Sequence, residues 1–156
     1  MEYFNNKLAN VLALLNDVKS GDTLNYSAEM LLFPAVVIGS NTTDQIIKIV
    51  LGSEAIAGEK SLVTDQDVQR ELHTALSYLG DSDDSSYPNR HYVGTELHKK
   101  HISDLESELQ SLLSKASKIT KFYLEKGHPF YPVFWDFSFN IEVSGKAYLF
   151  IGSCSD

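Results

Sequence analysis

A run of positions spaced alternately by four and three sets the strongest limit on this chain's architecture: His98, Ile102, Leu105, Leu109, Leu112, Ala116, Ile119 and Tyr123. Such a heptad-like seam lays one apolar stripe along a helix. With Thr95 as cap and Gly127 as stop, the spacing predicts one long helix over about 95–126, roughly 45 Å at 1.5 Å per residue. Glu96, Asp104, Glu106 and Glu108 fall in its first half and Lys115, Lys118, Lys121 and Lys126 in its second. That order opposes the helix macrodipole at both ends, so the charge arrangement needs no functional cause. A helix of this length outreaches a small domain. Its seam must meet several shorter helices of the same chain or the same helix of a second copy.

The period changes from 3.6 to 2 towards the C-terminus. Val133, Trp135, Phe137, Phe139, Ile141 and Val143 alternate with the polar Asp136, Ser138, Asn140 and Glu142, the pattern of a strand with one face buried. Lys146 to Ile151 follows as a second strand, so an antiparallel β-hairpin is expected over about 133–151. A three-residue loop, Val143-Ser144-Gly145, sets Glu142 opposite Lys146 and Phe139 opposite Leu149. A two-residue Ser144-Gly145 turn instead sets Ile141 opposite Tyr148 and Phe139 opposite Phe150. Two strands alone are marginally stable, and a third strand near 35–39 (Ala35-Val36-Val37-Ile38-Gly39) is the available partner.

Elsewhere Phe4, Leu8, Val11, Leu15 and Val18 describe an amphipathic helix over 3–19 with Gly21 beyond it. Thr42 and Gln45 have capping-box spacing before Ile46–Leu51, which favours helix over strand. Thr64 and Asp67 precede Val68, Leu72, Ala75, Leu76 and Leu79, a helix ended by Gly80. Tyr26 to Phe33 reads as a short helix behind Ser27, interrupted by Pro34. Residues 80–94 combine turn formers with acids and read as a long loop. The expected fold is α+β: a mainly helical single globular domain, 1–156, with one long helix and a C-terminal hairpin.

The 156 residues carry a formal charge of -8, which argues against nonspecific binding to nucleic acid or to an anionic membrane surface. No stretch approaches the roughly 18 apolar residues of a membrane-spanning helix, and the first residues lack the pattern of a signal peptide. One cysteine, Cys154, excludes an internal disulfide and agrees with a reducing compartment, so a cytoplasmic location is expected. The acids are concentrated in the middle. Glu54, Glu59, Asp65, Asp67, Glu71, Asp81, Asp83 and Asp84 are opposed there only by Lys60 and Arg70. A solvated face with helix-start acids accounts for this cluster about as well as a docking surface for a cationic protein does.

Catalytic and metal-binding patterns are weak. His91, His98 and His101 lie close in sequence, but no HExxH or paired cysteines accompany them, and His98 falls on the apolar seam. The segment from Asp81 begins like a calcium loop yet has Ser86 where glycine is required and Tyr92 where a bidentate Glu belongs. There is no P-loop, no GxGxxG and no GxSxG, and no His stands at a recognisable motif spacing from Cys154. Asp136, among aromatics and near His128 and Tyr131, is a candidate for acid-base work. The simpler reading makes it the outward residue of an alternating strand.

Size, acidity and cysteine usage together match the profile of small bacterial inhibitor proteins that neutralise a partner, as toxin immunity proteins do. The expected function is binding of a basic partner protein, with no enzyme activity, cofactor or metal. Asp65, Asp67, Glu71, Asp81, Asp83 and Asp84 would supply the charge, with Tyr87, Tyr148 and Phe150 as aromatic anchors and Tyr131 and Phe134 also within reach. Two alternatives come from other classes. One is a homodimeric adaptor joined along the 98–123 seam. The other is a small enzyme or ligand-binding domain with Asp136, His128 or Tyr131 in a pocket.

Overall fold

The computed structural model describes residues 1–17, 27–78, 91–130 and 135–155. In chain order the elements are α1 (Glu2–Leu15), β1 (Ser27–Leu32), β2 (Val36–Val37), α2 (Thr43–Leu51), β3 (Ile56–Leu62), α3 (Asp65–Ser77), α4 (Glu96–Leu113), β4 (Lys118–Lys126), β5 (Trp135–Val143) and β6 (Lys146–Ser155). The strands make one antiparallel sheet in the order β1-β6-β5-β4-β3, with β2 also pairing β6. The expectation of a mainly helical chain is therefore corrected to mixed helix and sheet, with four helices and six strands among the described residues.

The long helix is the main correction. It begins behind Thr95, whose hydroxyl accepts the His98 N–H, but ends at Leu113. The chain turns through Ser114–Ser117 and becomes β4. Ile119 and Tyr123 satisfy the seam only because a spacing of four keeps residues on one face of a strand as well as of a helix. Pairing decides between them: Ile119 lies opposite Ile141 and Lys121 opposite Phe139 on β5. The shorter seam, His98 to Leu112, is buried within the chain, which removes the surface on which the seam-joined dimer depended.

The hairpin forms with the two-residue turn. Ser144 and Gly145 have φ of 51° and 76°, left-handed values that suit the strand twist. Val143 faces Lys146, Ile141 faces Tyr148 and Phe139 faces Phe150. The third strand exists as Val36–Val37 against Lys146 and Ala147. The segment expected as a helix behind Ser27 is instead β1, because Ala28, Met30 and Leu32 bury at period 2 against the core while β6 supplies the ladder. No pattern in the sequence announced β3, an outer strand whose residues are largely exposed.

Two layers cover the sheet. On one face, Phe4, Leu8, Val11 and Leu15 of α1 pack with Val68 and Leu72 of α3, Leu105 and Leu109 of α4, and Phe137, Phe139, Ile141 and Phe150 of the sheet. Gly152 belongs to this face because a side chain there would collide with the Phe137 ring. On the other face, Ile46 and Ile47 of α2 meet Phe122, Ala147, Leu149 and Ile151. That second layer buries what the alternation marked as an outward polar row: Ser138 and Asn140 are fully enclosed, as is Thr120, the cross-strand neighbour of Asn140. Their hydroxyls and the Asn140 amide have no hydrogen-bond partner among the described residues.

The β1 edge is closed by two asparagines, Asn5 of α1 and Asn16 at its C-terminal cap. Asn5 donates to the Leu32 carbonyl at 2.6 Å and accepts the Leu32 N–H at 3.1 Å, and Asn16 treats Ala28 alike at 2.8 and 3.0 Å. Each amide occupies backbone groups that another strand would otherwise pair with. Asn16→Ala is expected to lower stability by about 1–2 kcal/mol, the cost of two partly buried backbone groups losing a partner. Chemical denaturation measures this, and a change below 0.3 kcal/mol, roughly the measurement error, would show the contact to be dispensable.

Candidate functional site

The acidic face is built on α3 and α4. Capping fixes the start of α3: the Thr64 N–H donates to Asp67 Oδ2 at 2.8 Å. This bond, with Arg70 beside it, holds the Asp67 carboxyl below its ordinary range. Asp65 accepts the Gln66 N–H at 2.9 Å and, across the helix pair, the Gln110 side-chain N–H at 2.9 Å. Gln69 donates to the Glu106 carbonyl at 2.8 Å, and His73 Nδ1 lies 2.5 Å from Glu106 Oε1. Gln66, Gln69, Arg70, His73, Glu106 and Gln110 line an open groove of about 490 Å³ between the helices, and Asp65 and Asp67 stand outside its lining. At His73, Ser103 and Glu106 it runs on into a second hollow of about 330 Å³, where Ser77, Gly94 and Ile102 form the wall.

His98 closes the apolar floor. Its Nε2 lies 2.6 Å from the Leu76 carbonyl and its Nδ1 accepts the Gly94 N–H at 3.0 Å, so both nitrogens are used within the fold. Burial pushes its imidazole below the ordinary value, opposed by the Leu76 carbonyl. His101 Nδ1 is bonded to the Tyr92 hydroxyl at 2.8 Å, and burial pushes that hydroxyl up to about 12. His91, His98 and His101 thus do not converge, and no metal-holding group of three or more His, Cys, Asp or Glu occurs among the described residues.

The acids named from the sequence meet different fates. Asp65 and Asp67 stand at the head of the groove, each engaged as above. Glu71 is half-buried and pairs with Lys121 at 3.4 Å; burial raises its carboxyl and Lys121 opposes the rise. Glu54 pairs with Lys126 at 3.1 Å, so the later lysines do neutralise part of the cluster. Asp81, Asp83, Asp84 and Tyr87 lie outside the described residues, as do Tyr131 and Phe134. Phe150 is corrected: it is fully buried, with its ring centroid 5.1 Å from that of Phe137 and 6.1 Å from that of Phe4, and offers nothing to a partner. Tyr148 is half-buried against the same core.

Sequence reasoning overlooked the groove residues Gln66, Gln69, His73, Glu106 and Gln110. Their signal was present: 66, 69/70, 73 and 77 on α3, and 103, 106/107 and 110 on α4, are polar stripes at helical spacing.

A second cluster lies at the far end of the sheet. His128 Nε2 is 3.4 Å from Asp136 Oδ2, and its Nδ1 stands 3.0 Å from the Phe130 N–H and 3.1 Å from the Phe130 carbonyl. The ring can accept at Nδ1 in one tautomer and donate there in the other. Asp136 and His128 do come together, while Tyr131, the third residue of the pocket alternative, lies outside the described residues. Comparison of the chain with family models, with curated proteins and with solved structures finds no match in any of the three.

Proposed function

We propose that this chain is a small acidic binding protein of the toxin-immunity type, which neutralises a basic partner protein across the α3–α4 groove. One observation carries the reading: residues 65–110 hold ten carboxylates against Arg70, Arg90, Lys99 and Lys100, a net -6 of the chain's -8. Seven of the ten, Asp65, Asp67, Glu71, Glu96, Asp104, Glu106 and Glu108, lie on α3 and α4 with Arg70, Lys99 and Lys100, whereas Lys118, Lys121 and Lys126 belong to β4. The chain leaves α3 at Ser77 and re-enters the described residues at His91, and Ser77 and Gly94 both line the end of the groove. The sequence joining them carries Asp81, Asp83, Asp84 and Tyr87. Charge of one sign on one layer speeds encounter, while groove contacts set the lifetime of the complex. A cytoplasmic site of action fits this role, and no described helix is long and apolar enough to cross a membrane.

The test uses the partner recovered with the tagged chain from its own host. Association is expected to slow about tenfold or more between 50 and 300 mM salt. Asp65→Lys with Glu106→Lys should weaken binding by at least about tenfold while leaving the fold unchanged. Salt-insensitive association, or full affinity in the double variant, would sink the proposal.

A second reading, a small ligand-binding or enzymatic domain near the hairpin, is favoured by the approach of His128 to Asp136. An activity abolished by His128→Ala and by Asp136→Asn, yet intact in the groove variant, would support it in place of the inhibitor.

A further inference from the structure

Between the start of α2 and the β3–β4 edge lies a pocket of about 210 Å³ lined by Thr43, Lys60, Ser61, Leu62, Lys118 and Thr120. In a chain of net charge -8, this lining contains two ammonium groups, three hydroxyls and no carboxylate. Lys60, Leu62, Lys118 and Thr120 share the α2 face of the sheet, Leu62 directly opposite Thr120. Above them α2 begins. Thr42 caps it by accepting the Gln45 N–H at 3.2 Å, and Thr43 is its first residue. The first N–H groups of a helix have no partner within it, and their dipoles favour a negative group at this end.

An independent observation comes from below the pocket. Thr120 is 5% exposed and its hydroxyl has no partner among the described residues, nor has either end of the buried amide of its cross-strand neighbour Asn140. Buried hydroxyls are nearly always bonded, so the unbonded Thr120 hydroxyl in the lining of a cationic pocket points to a ligand or its attached water. The carboxylates nearest these lysines stand outside the lining. Asp44 holds Lys60 at 2.8 Å, and Glu142 is 3.9 Å from Lys118.

We propose that this pocket binds one tetrahedral oxyanion, the phosphoryl group of inorganic phosphate or of a small phosphate monoester. Lys60 and Lys118 act as point charges from two strands, and the hydroxyls of Thr43 and Thr120 donate. This donor set lacks the planar guanidinium fork that matches a carboxylate. The volume admits a phosphoryl group with a few further atoms. The anion competes with Asp44 for Lys60, so binding is weaker than at a site with two free ammonium groups.

Titrating the full chain with inorganic phosphate at constant ionic strength, followed by amide NMR, tests the assignment. Saturable shifts are expected at Thr43, Ser61, Lys118 and Thr120, with glycerol 3-phosphate and sulfate producing the same pattern. Lys60→Gln and Lys118→Gln should each weaken binding about tenfold, as loss of a charged donor does, and Lys146→Gln should not. Thr120→Val gives a further loss, and if that variant fails to fold the two exposed lysine variants decide alone. Shifts no larger than those from sodium chloride, equal weakening by Lys146→Gln, or tighter binding of acetate than of phosphate would overturn the proposal. Because neither lysine lies on the helical layer, this result stands or falls separately from partner binding.

Discussion

Phe150→Ala is expected to lower the unfolding free energy by about 3–5 kcal/mol, the range for deleting a fully enclosed aromatic ring. Phe150 sits where β6 crosses the sheet centre, 0% exposed, between Phe137 and the Phe4 ring of α1. Its removal takes away the transfer free energy of the ring and leaves a cavity walled by two further aromatics, which cannot collapse without shifting α1 against the sheet. Tyr3→Ala, one residue from Phe4 but 61% exposed, is expected to change stability by no more than about 0.5 kcal/mol. Urea denaturation with an unchanged m-value measures both. A loss below 1 kcal/mol at Phe150, outside the range for core aromatics, would mean that the ring is not part of the core. Partner affinity per folded molecule should be unaffected, which separates the core role from the anchor role expected at first.

His98→Ala is expected to cost about 2–5 kcal/mol, because it leaves the Leu76 carbonyl and the Gly94 N–H without partners. The Leu76 contact ties the start of α4 to the end of α3, 22 residues away, and the Gly94 contact closes the turn that leads into α4. The same residue gives the fold a pH dependence of definite sign. In the unfolded chain the imidazole takes up a proton below about pH 6.5. In the fold, burial holds its pKa lower, so the unfolded state binds more protons in the window below 6.5. The His98 contribution is thus complete above pH 6.5 and is lost as pH falls. Glu71, raised by burial, acts in the opposite direction above its ordinary 4.5, so the informative quantity is the difference between wild type and variant. Stability measured from pH 8 to 5 should fall less steeply in His98→Ala. Parallel curves would show that His98 is not held neutral by the fold.

Much of the local architecture was legible because the interactions that create it are short in sequence. Thr42 with Gln45 and Thr64 with Asp67 start α2 and α3 as their spacing predicts, through bonds spanning three residues. The apolar stripe of α1 declares which of its faces is buried, and the apolar row of β5 declares the face that meets the helical layer. The hairpin register followed from the turn once Ser144 and Gly145 both took left-handed values. For the candidate site, the groove stripes were readable, but their meaning depended on α3 and α4 lying side by side.

What the tertiary structure decided were the cases where one local pattern serves two conformations. The four-residue step from Ile119 to Tyr123 fits helix and strand alike, and pairing with β5 settled it as strand. Ser27–Leu32 became a strand because β6 lies beside it, and Ile56–Leu62 because β4 does. Ser138 and Asn140, polar and alternating, read as solvent-facing until α2 covered that face. Phe150 and the partly neutralised acids Glu54 and Glu71 belong with these. The chain's own pattern sets propensity and periodicity over a few residues, whereas burial and ion pairing depend on groups brought together from 50 or more positions away, as Glu71 and Lys121 are.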